Sequence, residues 1–66
     1  MSNFILDAAR DKIILTFIDK QNIYSGSYEN SKINYEALIV LINDFLKKNN
    51  FNLKNIKKIY VNRGPG

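Results

Sequence analysis

The residues that could do chemistry in this chain are few. Asp7 closes the apolar stretch Asn3–Asp7 (NFILD), and Glu36 sits near the start of a helical pattern. Two such acids could begin a metal site that cleaves nucleic acid, which needs several carboxylates converging on divalent ions. Such a site needs further acids, and the last apolar stretch, Ile56–Asn62, ends in Asn62 followed by Arg63. A cation at that position repels a metal. With His 0 and Cys 0, there is no imidazole base, no thiolate nucleophile and no His/Cys metal cluster. No catalytic residue and no metal ligand set is therefore assigned. Glu36 reads as an acid favoured by the helix dipole. Asp7 stays open between a functional acid and the plain end of a strand.

These residues must be positioned by a small frame. Sixty-six residues allow one small domain, and a chain of this length buries roughly 60% of its unfolded surface, so its stability is marginal. Hydrophobic content of 45% argues against disorder. No apolar run approaches the ~18–20 residues of a membrane span, and MSNFILDAARDK lacks the features of a signal peptide, so a soluble cytoplasmic protein is expected. The net charge of +4 comes mostly from lysines scattered between Lys12 and Lys58, within a chain rich in Asn, Ile and Lys. That pattern reads as a solvated surface; the alternative is a small basic module that binds RNA.

Periodicity predicts strands over Asn3–Asp7, Lys12–Asp19, Asn22–Glu29 and Ile56–Asn62, with turns at Ala9–Asp11 and Asp19–Asn22. The second strand has two largely apolar faces, Ile13, Leu15 and Phe17 against Ile14 and Ile18, as expected of a strand between layers. In the third, Tyr24 and Tyr28 oppose Ser25, Ser27 and Glu29 around Gly26, which suits an edge. Between Asn34, the expected N-cap, and the stop at Asn49-Asn50, Leu38, Leu41, Ile42 and Phe45 form one helical stripe. Ile39, Val40 and Leu46 fall outside that stripe. This second stripe either packs inside the chain's own fold or docks on another chain.

The predicted fold class is α/β, in the order β-β-β-α-β. Two hairpins and a right-handed helical crossover return the last strand beside the first, parallel to it, giving a mixed sheet of order 3-2-1-4. That order belongs to the ribonuclease H-like superfamily and its actin-like ATPase branch. One helix covers only one sheet face, leaving either the Ile13 set or the Ile14 set bare, and the last strand has an open edge. Self-association is expected from both deficits.

Three stretches resemble the tRNA threonylcarbamoyladenosine biosynthesis protein TsaB family, a glycoprotease-like family. IKKIYVNRGPG resembles its strand ending in Gly-Pro-Gly. FILDAARDKIILTFI resembles its first hairpin, with Asp7 and Ala9 matching and Ala8 replacing a hydroxyl residue. NYEALIVLINDFL resembles its first helix, with Glu36, Leu38 and Ile39 matching, and Asn34 and Tyr35 replacing His and Ser. The resemblance spans all 66 residues, about the first third of a family member.

The resemblance implies residues 1–66 of a partial actin-like domain in a non-catalytic subunit. It implies a TsaD-type catalytic partner, a TsaE-type ATPase and, indirectly, tRNA, with ATP and metal held by the parent complex rather than this chain. Partner-helix candidates are Tyr35, Leu38, Ile39, Ile42 and Leu46. Asp7, Gly64, Pro65 and Gly66 are candidates for a nucleotide or partner loop, against a plain turn at the Gly-Pro-Gly. The alternative is part of a ribonuclease H-like nuclease or resolvase.

Overall fold

The computed structural model describes residues 2–51 and 53–62. Four strands, β1 (Ser2–Asp7), β2 (Lys12–Asp19), β3 (Asn22–Glu29) and β4 (Lys58–Asn62), form one sheet of order β3-β2-β1-β4. β1 pairs antiparallel with β2 and parallel with β4, and β2 pairs antiparallel with β3. The expected α/β class and 3-2-1-4 order are thus observed.

Alternation in β2 sorts the two faces. Ile13, Leu15 and Phe17 are fully buried beneath the helices, while Ile14 points to the other face and is partly exposed. Registered partners extend the buried face. Phe4 and Leu6 of β1 lie beside Phe17 and Leu15, and Tyr24, Gly26 and Tyr28 of β3 lie on the other side. Phe45 and Leu46 close this core from above. Phe51 joins it at one end, with its ring centroid 4.5 Å from Phe17 and 5.3 Å from Tyr24.

The helical region is two helices, α1 (Lys32–Glu36) and α2 (Leu38–Lys48). It starts earlier than the expected cap at Asn34. Ser31 is extended, and its Oγ accepts from the Asn34 backbone N–H at 3.1 Å. The Asn34 side chain donates instead to the Glu29 carbonyl at 2.8 Å. Glu36 is therefore the last residue of α1 and not a first-turn acid. Ala37 departs from helical geometry at φ −98°, ψ 24°, and its N–H is shared between the Ile33 and Asn34 carbonyls, which separates the two helices.

α2 ends as the Asn49-Asn50 pair suggests. Asn50 is left-handed at φ 65°. Its N–H donates to the Lys47 carbonyl at 3.0 Å, and that of Phe51 donates to the Leu46 carbonyl at 2.8 Å. This is a Schellman closure with Asn in the glycine position. A short 3-10 turn, α3 (Leu53–Asn55), follows, and the Ile56 N–H donates to the Leu53 carbonyl at 3.2 Å. Ile56 and Lys57 thus belong to the approach to β4 rather than to the strand, a shift of two residues from the sequence expectation.

Candidate functional site

Two regions gather the residues singled out by sequence. The first is the carboxyl end of the parallel strands β1 and β4. Asp7 is half-buried, registered between Ile14 and Asn62, and its carboxylate accepts from the Ala9 N–H at 3.1 Å. The Ala8 N–H donates to the Asn62 carbonyl at 2.8 Å, which locks the turn to β4. Asn30 clamps the same turn from the far end of β3, donating to the carbonyls of Ala8 at 3.1 Å and Arg10 at 2.7 Å. Asn30 had no distinguishing signal in the sequence, because its role depends on a contact across twenty residues.

Asp7 and Glu36 do not converge. Asp7 shares the face of Ile5 and Ile14, which points away from the helices, whereas Glu36 ends α1 on the helical side. Among the described residues no three His, Cys, Asp or Glu side chains come together as a metal site. Gly64, Pro65 and Gly66, the other loop candidates, lie outside the described residues.

The second region is a groove of about 330 Å³ between the helices and β4. Tyr35, Leu38, Ile39 and Ile42 form its helical bank, and Ile59 and Val61 its strand bank. Phe4 and Leu6 form the floor, with Leu53 and Ile56 also lining it. Four of the five partner-helix candidates are therefore brought together. The fifth, Leu46, is not: it is 1% exposed and packs in the core, so it is unavailable to a partner. Helical spacing explains the reversal. Leu46 follows Ile42 and Phe45 by one turn or less, and the sheet extends far enough beneath α2 to receive all three.

The bank residues differ in exposure. Ile39 is 66% exposed, and Val40 beside it is also exposed, whereas Leu38 and Ile42 partly pack against the core. On the opposite bank Ile59 and Val61 are 59% and 55% exposed, although they stand in register with buried Phe4 and Leu6. Their i, i+2 spacing is the sequence signal that marks this bank. No described helix is long and apolar enough to cross a membrane.

No family model and no curated protein matches the chain. Among solved structures, YeaZ from Pseudomonas aeruginosa is similar with a TM-score of 0.81 at 18% sequence identity. The match covers 98% of this chain and 30% of the YeaZ chain. A likeness at this identity speaks for the fold: the chain has the mixed α/β architecture of part of YeaZ.

Proposed function

We propose that this chain is a partial actin-like domain of a TsaB-like, non-catalytic subunit that supports N6-threonylcarbamoylation of tRNA by pairing with a TsaD-type catalytic subunit. The observation that carries the reading is the likeness in fold to YeaZ across 98% of the chain. The sequence resemblance at Asp7, Glu36 and the Gly-Pro-Gly supports it independently. The chain spans 30% of the YeaZ chain, so partners and activity of a whole protein are part of the proposal.

In this reading the docking surface is the exposed apolar part of the helical region, Tyr35, Ile39 and Val40, flanked by Leu38 and Ile42. Leu46 is withdrawn from it. The TsaE-type ATPase, tRNA, ATP and metal belong to the parent complex, and the cytoplasm is the expected site of action. The far sheet face, with Ile14, Ile23 and Tyr60 exposed, supports self-association of the chain.

Titration of the chain with a TsaD-type subunit, followed by light scattering, tests the reading. A stable complex that is lost in Ile39→Asp is expected, and absence of any complex counts against it. Metal-dependent cleavage of nucleic acid by the chain alone, abolished in Asp7→Asn, would instead support the nuclease. RNA binding that persists at physiological salt would support the basic module, because scattered lysines offer only salt-sensitive counterion release.

A further inference from the structure

The lysines are dispersed along the chain, yet the fold gathers most of them at one end of the sheet. Lys20 lies in the turn between β2 and β3, beside the registered pairs Asp19–Asn22 and Asp19–Ser2. Lys58 opens β4 opposite Asn3, and the Lys57 N–H donates to the Ser2 carbonyl at 2.7 Å. Adjacent strands are about 4.8 Å apart, so that turn and the start of β4 are neighbours across one short edge. α2 finishes above this edge. Phe51, just past its closure, packs on Phe17 and Tyr24, each two residues from the Asp19–Asn22 pair. Lys47 and Lys48 of the last turn are thereby brought to the same end, and Lys54 of α3 lies on the path from α2 to β4. All six residues are exposed. The acids near them are Asp19, whose carboxylate accepts from Ser2 Oγ at 2.9 Å, and Asp44, one turn back along α2. The other acids, Asp7, Asp11, Glu29 and Glu36, belong to the opposite end, with Arg10, Lys12 and Lys32.

We propose that this end is a docking surface for the phosphodiester backbone of a nucleic-acid double helix, bound without regard to base sequence. Charge complementarity names the partner. Six lysines against two acids equal at this end alone the +4 of the whole chain. A surface of that kind takes up a polyanion by releasing its counterions. Ammonium groups on long stems act as point donors that hold phosphates without reading bases. The exposed residues between them include the amides Gln21, Asn22 and Asn50, which donate to phosphate and sugar oxygens. A single strand would be held by bases stacking on exposed aromatic rings. The aromatics at this end, Tyr24 and Phe51, instead pack into the core around Phe17, which favours the double helix. An interfacial membrane surface sets aromatic and aliphatic side chains beside its cations, where this end has amides. A second copy of the chain would set lysine against lysine. The inference does not rest on the TsaB-like reading, since it needs only the sheet register, the end of α2 and the lysines.

The test uses the 66-residue chain and two fluorescently labelled hairpins, one RNA and one DNA, with the same stem sequence. Anisotropy should show saturable binding at low salt, with log affinity falling against log salt at a slope of about −3 or steeper. A stem of scrambled sequence should bind equally. Lys57→Glu combined with Lys58→Glu should lower affinity about tenfold or more. Arg10→Glu combined with Lys32→Glu, the same change in net charge at the opposite end, should alter it by less than about twofold. Amide shift mapping on the unmodified chain needs no variant and should mark Lys20, Gln21 and Asn22, the last turn of α2, and Lys57 and Lys58. Binding of either hairpin supports the backbone as ligand, and the tighter of the two names its source. No binding at low salt, equal losses in the two double variants, or tighter binding to phosphatidylserine vesicles than to either hairpin would each overturn the proposal.

Discussion

Gly26 lies directly beneath Phe45: a Cβ on the glycine would stand 3.0 Å from Phe45 Cδ1 and 3.1 Å from Cε1. Phe45 is buried and also meets Phe4, with ring centroids 6.3 Å apart, so the ring has little room to yield. Gly26→Ala should therefore destabilise the fold by about 1 kcal/mol or more, despite alanine's better strand entropy. Ser25→Ala, on the exposed face beside it, should stay within about 0.5 kcal/mol. In a Phe45→Leu background the Gly26→Ala penalty should vanish, and a double-mutant cycle by urea denaturation measures this coupling.

The helix start separates two similar residues. Ser31 caps α1 through its side-chain oxygen, whereas Asn34 only bonds back to the Glu29 carbonyl. Ser31→Ala should cost about 1 kcal/mol, the usual loss for an N-cap. Asn34→Ala should cost less, because its acceptor is exposed and water can replace the amide. Thermal unfolding of both variants gives the order, and a larger loss at Asn34 would contradict this cap assignment.

At the other end Asn50 holds a left-handed conformation in the closure of α2. Glycine adopts that region without the Cβ penalty, so Asn50→Gly should stabilise the chain by up to about 1 kcal/mol. Asn50→Ala should destabilise it by a similar amount. Both are read from the denaturation midpoint at unchanged slope.

Much of this frame was legible because strands announce themselves by alternation. The bounds of β2 and β3 follow from the alternation, since a one-residue shift would turn Ile13, Leu15 and Phe17, or Tyr24 and Tyr28, away from the core face. The break at Ala37 was not legible. Alanine favours helix and no Gly or Pro marks the site, so nothing in the residue types announces the departure of Ala37 from helical geometry. The start of β4 was misplaced because Ile56 and Ile59 are three residues apart and both apolar, yet only Ile59 is in the ladder. Of the candidate site, Tyr35, Leu38, Ile39 and Ile42 followed from the family resemblance of the helical stretch, whereas helical spacing alone set Ile39 apart from the stripe of Leu38 and Ile42. The fate of Leu46 followed from neither, since it depends on how far the sheet extends beneath α2.

That difference between Ile39 and Leu46 is itself measurable. Leu46→Ala removes a core side chain and should cost about 2–5 kcal/mol, a large part of the stability of a domain this small. Ile39→Asp alters an exposed position and should change stability by no more than about 1 kcal/mol. Circular dichroism during urea denaturation distinguishes them. Equal, large losses at both positions would mean that the exposed stripe is needed for folding rather than for a partner.

The sheet face turned away from the helices bears on association. Ile18 and Ile23 are registered partners there, as are Ile5 and Tyr60, and Ile23 is 69% exposed. Polar neighbours Thr16, Ser25 and Ser27 interrupt the patch, so it is less apolar than a domain core. Each aliphatic side chain fully buried contributes about 1.5–3 kcal/mol, and these are already partly covered by the strands beside them. A stable complex buries roughly 1,000 Å² or more in total, and the polar interruptions work against reaching it on this face alone. The expected outcome is a weak dimer whose mass rises with concentration across the micromolar range in sedimentation equilibrium. Ile23→Lys combined with Tyr60→Lys should return it to monomer with little loss of fold, because both side chains are exposed. Val61→Asp, on the helical face, should leave the mass unchanged. A chain that folds cooperatively and stays monomeric at all accessible concentrations would show that this face is adequately solvated as it stands, with Thr16, Ser25 and Ser27 sufficient to keep two copies apart.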